Sequence, residues 1–358
     1  MFDLFITSNG PGEITTWVHP FVKRIKKEIE DVRITLFIVP CRFKAGNEYE
    51  VAKQIKEIDN VYSAKEFKYR LIRLPFEPYK KGCVVFMGGD LGKAVLLKKR
   101  YRFPAIAYTE GDKSFKLFFN KIFTRDKDGD LMYSFFEDYN EDKQLIETLK
   151  ETKNVVFFSG SRPKQFKALF PIFQEVSKLL PKGYKCIYSI SPYISDNIIQ
   201  KAKCDSRKLI TYKNKSAELM KTAELCVSIP GTNNIQLAYL NAPSLIVFPF
   251  NKPKVIDFPG LIGLIANVPG GRYFKKRLIL KYLGKNVEFT SLVNRKENME
   301  IFPELRGDLT AKQIALSITK LLSNKQELNK IKEKCLALSK TSNVLDNMVL
   351  KVKSFNEK

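Results

Sequence analysis

The chain has 358 residues, 44% of them hydrophobic, and carries 62 Lys and Arg against 38 Asp and Glu, a formal net charge of +24. That size and apolar content exclude a disordered chain and favour two domains. The six cysteines, with no C-x-x-C pair or His/Cys cluster, exclude a disulfide framework and a zinc site and read as buried small hydrophobes of a reducing compartment.

In chain order, "DLFITS" (3–8), "RITLFIVP" (33–40), "CVVFMGG" (83–89) and "AIAYTE" (105–110) are short apolar runs of the kind buried on both faces of a parallel sheet. After the first, the turn "SNGPGE" leads to Val18, Phe21, Val22, Ile25 and Ile29 at helical spacing, with Thr16 as the expected N-cap. The charged, weakly patterned segment 138–153 is expected to connect two halves. Beyond it, "NVVFFSGSR" (154–162), "KCIYSIS" (185–191), "KLITY" (208–212), "ELCVSIPG" (224–231) and "PSLIVFPF" (243–250) read as strands. Helices are expected near 164–179, 194–203, 216–222 and 233–241, and a run of amphipathic helices over about 310–357. The pattern predicts an α/β chain of two doubly wound, Rossmann-like domains. Residues 1–145 form the first and 150–338 the second, with a helix over about 340–358 that packs back on the first. Ligands of such domains belong in a central cleft at the carboxyl ends of the strands.

The opening residues lack the basic, apolar and small-residue regions of a signal peptide, and no apolar run reaches the ~20 residues of a membrane span, so a soluble or peripheral protein is expected. The charge suits polyanions: nucleic acid, an anionic membrane surface or a phosphorylated substrate. Solvated surface lysines explain it as well. Basic residues interleave with large apolar ones in 68–82, 98–103, 113–123 and 271–285. This mixture suits a surface that dips apolar groups between acidic headgroups. Single-stranded nucleic acid uses similar ingredients.

Two turns are suited to a diphosphate. "SGSR" (159–162) and "PGTNN" (230–234) each place a glycine at a strand end, the second opening a helix whose N–H groups face a phosphate, and Arg162 offers a bidentate contact.

These two turns, the segments around them and "FTSLVNRKENMEIFPELRGDLTAKQIALSI" resemble, in consistent order over much of 154–320, the donor-binding half of the lipid-A-disaccharide synthase family. That family has a Pro-Gly-Ser-Arg turn, a Ser-Gly-Thr turn opening a helix, and a Leu-Pro-Asn segment leading into Pro-Glu-Leu. In the first half, "SNGPGEI" (8–14) is similar to the family's Gly-Glu-x-Ser-Gly-Asp-Ile loop, in a form found in a divergent, synthase-related branch, and "VFMGGD" (85–90) to the segment ending in its catalytic Asp. The resemblance implies the GT-B fold and an inverting, metal-independent glycosyltransferase. It would move a sugar from a UDP-sugar, of the UDP-GlcNAc type, to a lipid-linked acceptor. No cofactor is expected, the donor serving as co-substrate. A cytoplasmic protein, peripheral on the inner face of the membrane, is implied, and nucleic acid is not an expected partner.

Under the resemblance, Ser161, Arg162, Gly231 and Thr232 line the nucleotide diphosphate, Asn233 is a further substrate-binding candidate, and Asn294 occupies the counterpart of the Leu-Pro-Asn segment. Gln236 stands where the family has a ribose-binding Glu, which removes a charge-assisted bond. Asp90 is the expected general base, with Glu13 second and His19 third. Asn9, Gly10 and Gly12 make room for sugar or acceptor. Each has a structural alternative. Asp90 and Glu13 suit helix caps, and His19 sits beside Pro20 within a helical pattern. A UDP-sugar epimerase of the same fold and a non-enzymatic basic protein binding nucleic acid or membrane are the other functions to weigh.

Overall fold

The computed structural model describes residues 1–40, 46–72, 81–112, 114–137, 139–203, 209–251, 288–338 and 342–357. The chain forms two compact units, Met1–Tyr139 with Lys340–Lys358, and Asn140–Ser339.

In the first unit, β1 (Phe2–Ser8), β2 (Val32–Ile38), β3 (Asn60–Tyr62), β4 (Gly82–Phe86), β5 (Ala105–Thr109) and β6 (Lys121–Thr124) form one sheet in the order β3-β2-β1-β4-β5-β6. All neighbours are parallel, with Leu4 opposite Ile34 and Cys83. Alternation along β1 feeds two apolar layers. Leu4 and Ile6 pack with Val18, Phe21 and Ile25, and with Val344, Met348 and Val352 of the helix Val344–Asn356. Phe5 points the other way, among Phe37, Phe86, Leu97 and Phe103. The C-terminal helix thus completes the first unit's core.

The second unit repeats the plan. β7 (Lys153–Phe158), β8 (Tyr184–Ile190), β9 (Ile210–Lys213), β10 (Ala223–Ser228), β11 (Ser244–Pro249) and β12 (Glu304–Gly307) run parallel in the order β12-β11-β10-β7-β8-β9. Counted from its own first strand, this is the same 3-2-1-4-5-6 order as the first sheet. Val155 and Phe157 pack on Phe166, Leu169, Phe170 and Phe173 of the helix Pro163–Lys178, and on Ile314 and Ile318.

Several local expectations change. Thr16 is not an N-cap. The helix starts earlier, at Gly10, where Pro11 fits the first helical position, and continues through a π-helical stretch, Ile14–Val18, into the helix His19–Glu28. The Thr16 hydroxyl donates instead to the Gly12 carbonyl, 2.7 Å away. Within the expected connection, residues 143–150 form a helix. Asp142 caps the helix Lys143–Lys150 through the Leu145 N–H (3.0 Å), and Ile146 and Leu149 are buried. Lys215 holds Asp142 at 2.8 Å, tying this helix to the second unit and keeping the Asp142 carboxyl below its ordinary range. The short β3, β6 and β12 lie at sheet edges, where little apolar sequence is needed.

Cys83, Cys226 and Cys335 are buried and Cys186 half-buried, none of these four in a disulfide. Burial alone pushes the Cys186 thiol up to about 11. Cys41 and Cys204 lie outside the described residues, as do 73–80 and 271–285 of the basic, apolar-rich segments. Within 98–103, Tyr101 and Phe103 are core-facing, their rings 4.8 and 5.5 Å from that of Phe5. Among the described residues no helix is long and apolar enough to cross a membrane.

Candidate active site

In an open parallel sheet, strands that lead off to opposite sides leave a crevice at their carboxyl ends. In the first unit the reversal falls between β1 and β4, which end in Ser8-Asn9-Gly10 and Gly88-Gly89-Asp90. Glu13, half-buried in the first helical turn, lies over Gly10 so closely that a Cβ there would overlap its carboxylate. A Cβ on Gly88 would stand 3.1 Å from both Glu13 Cγ and Ser8 Oγ, and Ser8 Oγ donates to the Met87 carbonyl across the strand pair. Gly88 and Gly89 have φ of +133° and +95°, which bulkier residues rarely adopt. A Cβ on Gly89 would lie 3.0 Å from Asn9 Nδ2. The glycines therefore let the two strand ends close on each other, gathering Asn9, Gly10, Glu13 and the Asp90 loop.

Asp90 is exposed and extended, and its Oδ1 accepts the Gly92 N–H at 2.8 Å, capping the helix Leu91–Tyr101. One carboxylate oxygen holds the helix, and the group keeps acceptor capacity beyond that bond. Gly12, half-buried, spends its carbonyl on Thr16. His19 is set apart from these residues. It follows Pro11 by eight positions, roughly 12 Å along a helix. Half-buried, its pKa is held below the ordinary imidazole range, chiefly by burial, with Glu57 opposing and Lys23 reinforcing. Its place within the helix, not on the strand-end loops, argues for a structural imidazole.

In the second unit the reversal falls between β7 and β10, and the two glycine turns follow these neighbouring strands. Gly160 has φ +91°, and a Cβ on it would lie 3.1 Å from Ile229 Cδ1 and 2.9 Å from Gln165 Oε1. Only a glycine lets the SGSR turn seat against the end of β10. In front of Gly231 nothing in the described chain comes within 4 Å of a built Cβ. Among the described residues, that side of Gly231 is open.

Arg162, half-buried and extended, is the N-cap of the 16-residue helix Pro163–Lys178, with no side-chain cap bond and Pro163 at the first position. The positive end of that helix therefore lies at the SGSR turn. Ser159, quoted with its turn above but not singled out, is buried, and its hydroxyl has no hydrogen-bond partner among the described residues. Such a group costs about 1–3 kcal/mol unless something satisfies it.

The second turn is built differently from expectation. The helix Asn233–Tyr239 spans seven residues, and its Asn234 and Ile235 N–H groups bond back to the Gly231 and Thr232 carbonyls at 3.0 and 3.1 Å. The helix end thus offers less to an anion than expected. Asn234, also missed, holds the turn: Oδ1 accepts the Gly231 N–H (3.2 Å) and Nδ2 donates to the Ile229 carbonyl (3.0 Å). Thr232 and Asn233 are half-buried beside it, and Gln236 is buried one turn on.

Asn294 changes character. Fully buried, its Nδ2 donates to the Phe302 carbonyl and Glu304 Oε1, while Oδ1 accepts the Ile301 and Phe302 N–H groups. All its hydrogen-bonding positions are used, so it organises its segment and has none left for a ligand. Glu304 also accepts the Thr290 and Ser291 N–H groups, fixing the chain where the described residues resume. Among the described residues no cluster of three or more His, Cys, Asp or Glu could hold a metal ion.

No family model matches the chain. A lipid-A-disaccharide synthase of Sulfurihydrogenibium sp. is 26% identical over 185 residues, 47% of this chain and 42% of that protein. The chain thus spans less than half the length of the curated relative it matches. Among solved structures, the UDP-GlcNAc 2-epimerase of Neisseria meningitidis bound to UDP-GlcNAc superposes with TM-score 0.54 at 11% identity, covering 98% of this chain and all of that one. MurG of Acinetobacter baumannii does so with TM-score 0.50 at 12% identity, over 99% and 100% of the two chains. The fold is GT-B. Its two Rossmann-like units are those described above, each with its crevice at the reversal of strand order.

Proposed function

We propose that the chain is an inverting glycosyltransferase that takes a sugar from a UDP-sugar of the UDP-GlcNAc type and passes it to a lipid-linked acceptor at a membrane surface. The observation that carries this reading is that the Gly160 and Gly231 turns follow the neighbouring strands β7 and β10 where the second sheet reverses, with Gly160 seated against Ile229. The partial match to a lipid-A-disaccharide synthase and the GT-B fold support it. In this reading the diphosphate takes the positive end of the helix Pro163–Lys178, the guanidinium of Arg162 and the hydroxyls of Ser159, Ser161 and Thr232, and lies in the space in front of Gly231. These donors stabilise the charge that grows as UDP departs. The acceptor hydroxyl must lose its proton as it attacks the anomeric carbon, and a carboxylate takes it. Asp90 has that role, with Glu13 as its alternate. No metal ion takes part.

The test combines binding with chemistry. UDP should raise the melting temperature, and Arg162→Ala should abolish the rise. Incubation of radiolabelled UDP-sugars with membrane lipid extract should give a labelled lipid on thin-layer chromatography, unaffected by EDTA. Conversion of the UDP-sugar without any lipid product would favour the epimerase instead. Salt-sensitive oligonucleotide binding with no response to UDP would favour a polyanion-binding protein.

A further inference from the structure

The segment 113–123 mixes basic and apolar residues, and the described part of it is not absorbed into the core as Tyr101 and Phe103 are. Between β5 and β6 the chain makes a knuckle around the short 3-10 turn Lys116–Phe118. Leu117 is 96% exposed, Phe115 49% and Phe118 36%. Leu96, 45% exposed, extends the apolar surface along the helix Leu91–Tyr101. Gly92, Leu96 and Lys99 fall at helical spacing on one face. The ring of Phe115 lies over the first of these, its Cζ 3.8 Å from a Cβ built on Gly92. The Lys99 ammonium stands 5.0 Å from the centre of the Phe118 ring. Lys98 donates to the Phe118 carbonyl at 2.6 Å, and Lys116 lies within the knuckle.

Other exposed leucines, such as Leu316, Leu336 and Leu350, lie on separate helices, as scattered surface apolar residues commonly do. The knuckle instead groups three, with Leu96 beside them. It also holds Phe115 at φ +59°, a conformation costly for a bulky residue. The nearest carboxylate along the chain, Asp112, is engaged with the Ser114 N–H at 2.7 Å.

We infer that the Phe115–Phe118 knuckle, with Leu96 beside it and Lys98, Lys99 and Lys116 around it, docks on an anionic lipid bilayer. The apolar side chains enter the boundary between headgroups and acyl chains, and the ammonium groups meet the lipid phosphates. The geometry links this surface to the chemistry, because the Cβ built on Gly92 that touches Phe115 also stands 3.1 Å from Asp90 Oδ1. A lipid entering here arrives beside the candidate base. In its purpose the docking rests on the proposal of a lipid-linked acceptor, and the experiment separates the two.

The full chain is floated with vesicles of phosphatidylcholine alone or mixed with phosphatidylglycerol. Binding to the mixed vesicles is expected, weakening as salt rises, with a drop of at least about tenfold in Leu117→Asp. The double variant Lys99→Glu, Lys116→Glu should lose the preference for phosphatidylglycerol. In Leu117→Trp the added indole should shift to the blue and be quenched by brominated acyl chains. An unchanged melting midpoint shows that the variants fold. Equal vesicle binding by wild type and Leu117→Asp, or no quenching at position 117, would overturn the inference. So would a dimer in sedimentation that Leu117→Asp dissolves, or oligonucleotide binding lost in the same variants without vesicle binding. Vesicle binding without any UDP response would count against the donor reading and leave this surface standing.

Discussion

Glu13 and Gly10 occupy one another's space: the carboxylate of the first lies where a side chain of the second would be. Gly10 has an ordinary extended backbone, φ −102° and ψ 148°, so alanine there is limited only by that contact. Gly10→Ala should displace a flexible carboxylate, at a stability cost under about 1 kcal/mol, and lower turnover by about 10- to 100-fold if Glu13 positions substrate. Gly88→Ala, at φ +133°, should cost about 1–3 kcal/mol in addition. Urea melts alongside transfer rates distinguish the two.

Asp90 allows a clean separation of cap from base. Asparagine caps helices as well as aspartate does, so Asp90→Asn should keep the bond to the Gly92 N–H and stay within about 0.5 kcal/mol of wild type. It should retain UDP binding and lose about 10²–10⁴-fold in turnover. Undiminished turnover in this variant would move the base to Glu13.

Asn234 should behave as a hidden member of the donor site. Asn234→Ala strips partners from the Gly231 N–H and the Ile229 carbonyl, which should cost about 2–3 kcal/mol and relax the turn. The UDP-induced rise in melting temperature should shrink with it. Full UDP stabilisation in a destabilised variant would show that the diphosphate does not use this turn.

His19 should make the fold sensitive to acid. Its folded pKa lies below the ordinary ~6.5, so in the window beneath that value the unfolded chain binds the proton more readily than the folded one. Stability from this group is present above the window and lost as pH falls through it. His19→Gln should therefore narrow the difference in melting temperature between about pH 7.5 and 5.5 relative to wild type. An unaltered difference would show that the imidazole protonates without penalty.

Asn294→Ala should unfasten the segment around residues 290–304 without touching a ligand directly. Loss of four buried hydrogen bonds predicts a cost of about 2–4 kcal/mol. Any loss of UDP affinity should follow the stability loss across temperature, a parallel that a direct ligand contact would break.

Both sheets could be read from the chain because a strand buried on two faces must be nearly all apolar, as in 33–40 and 243–250, and such runs have few other uses. The SGSR and PGTNN turns could be read because glycine at a strand end is an economical local signal. β3, β6 and β12 could not, since these short edge strands carry no apolar run that sets them off from their flanks, whereas β9, also at an edge, showed itself in KLITY. Thr16 misled because hydroxyl caps and hydroxyls bonded back within a helix look alike in sequence; Pro11 was the better marker.

The sequence alone determined the doubly wound architecture and the places where glycine must stand, since these follow from periodicity and backbone sterics. Only the tertiary structure decided that Gly160 seats against Ile229, that Glu13 closes over Gly10, that Asn234 clasps one turn and that Asn294 is spent internally. Each of those depends on residues distant in sequence or on the direction a side chain takes. Hydrogen-bond capacity can be counted from residue types, but where it is used is settled only when the chain brings its partners within about 3 Å.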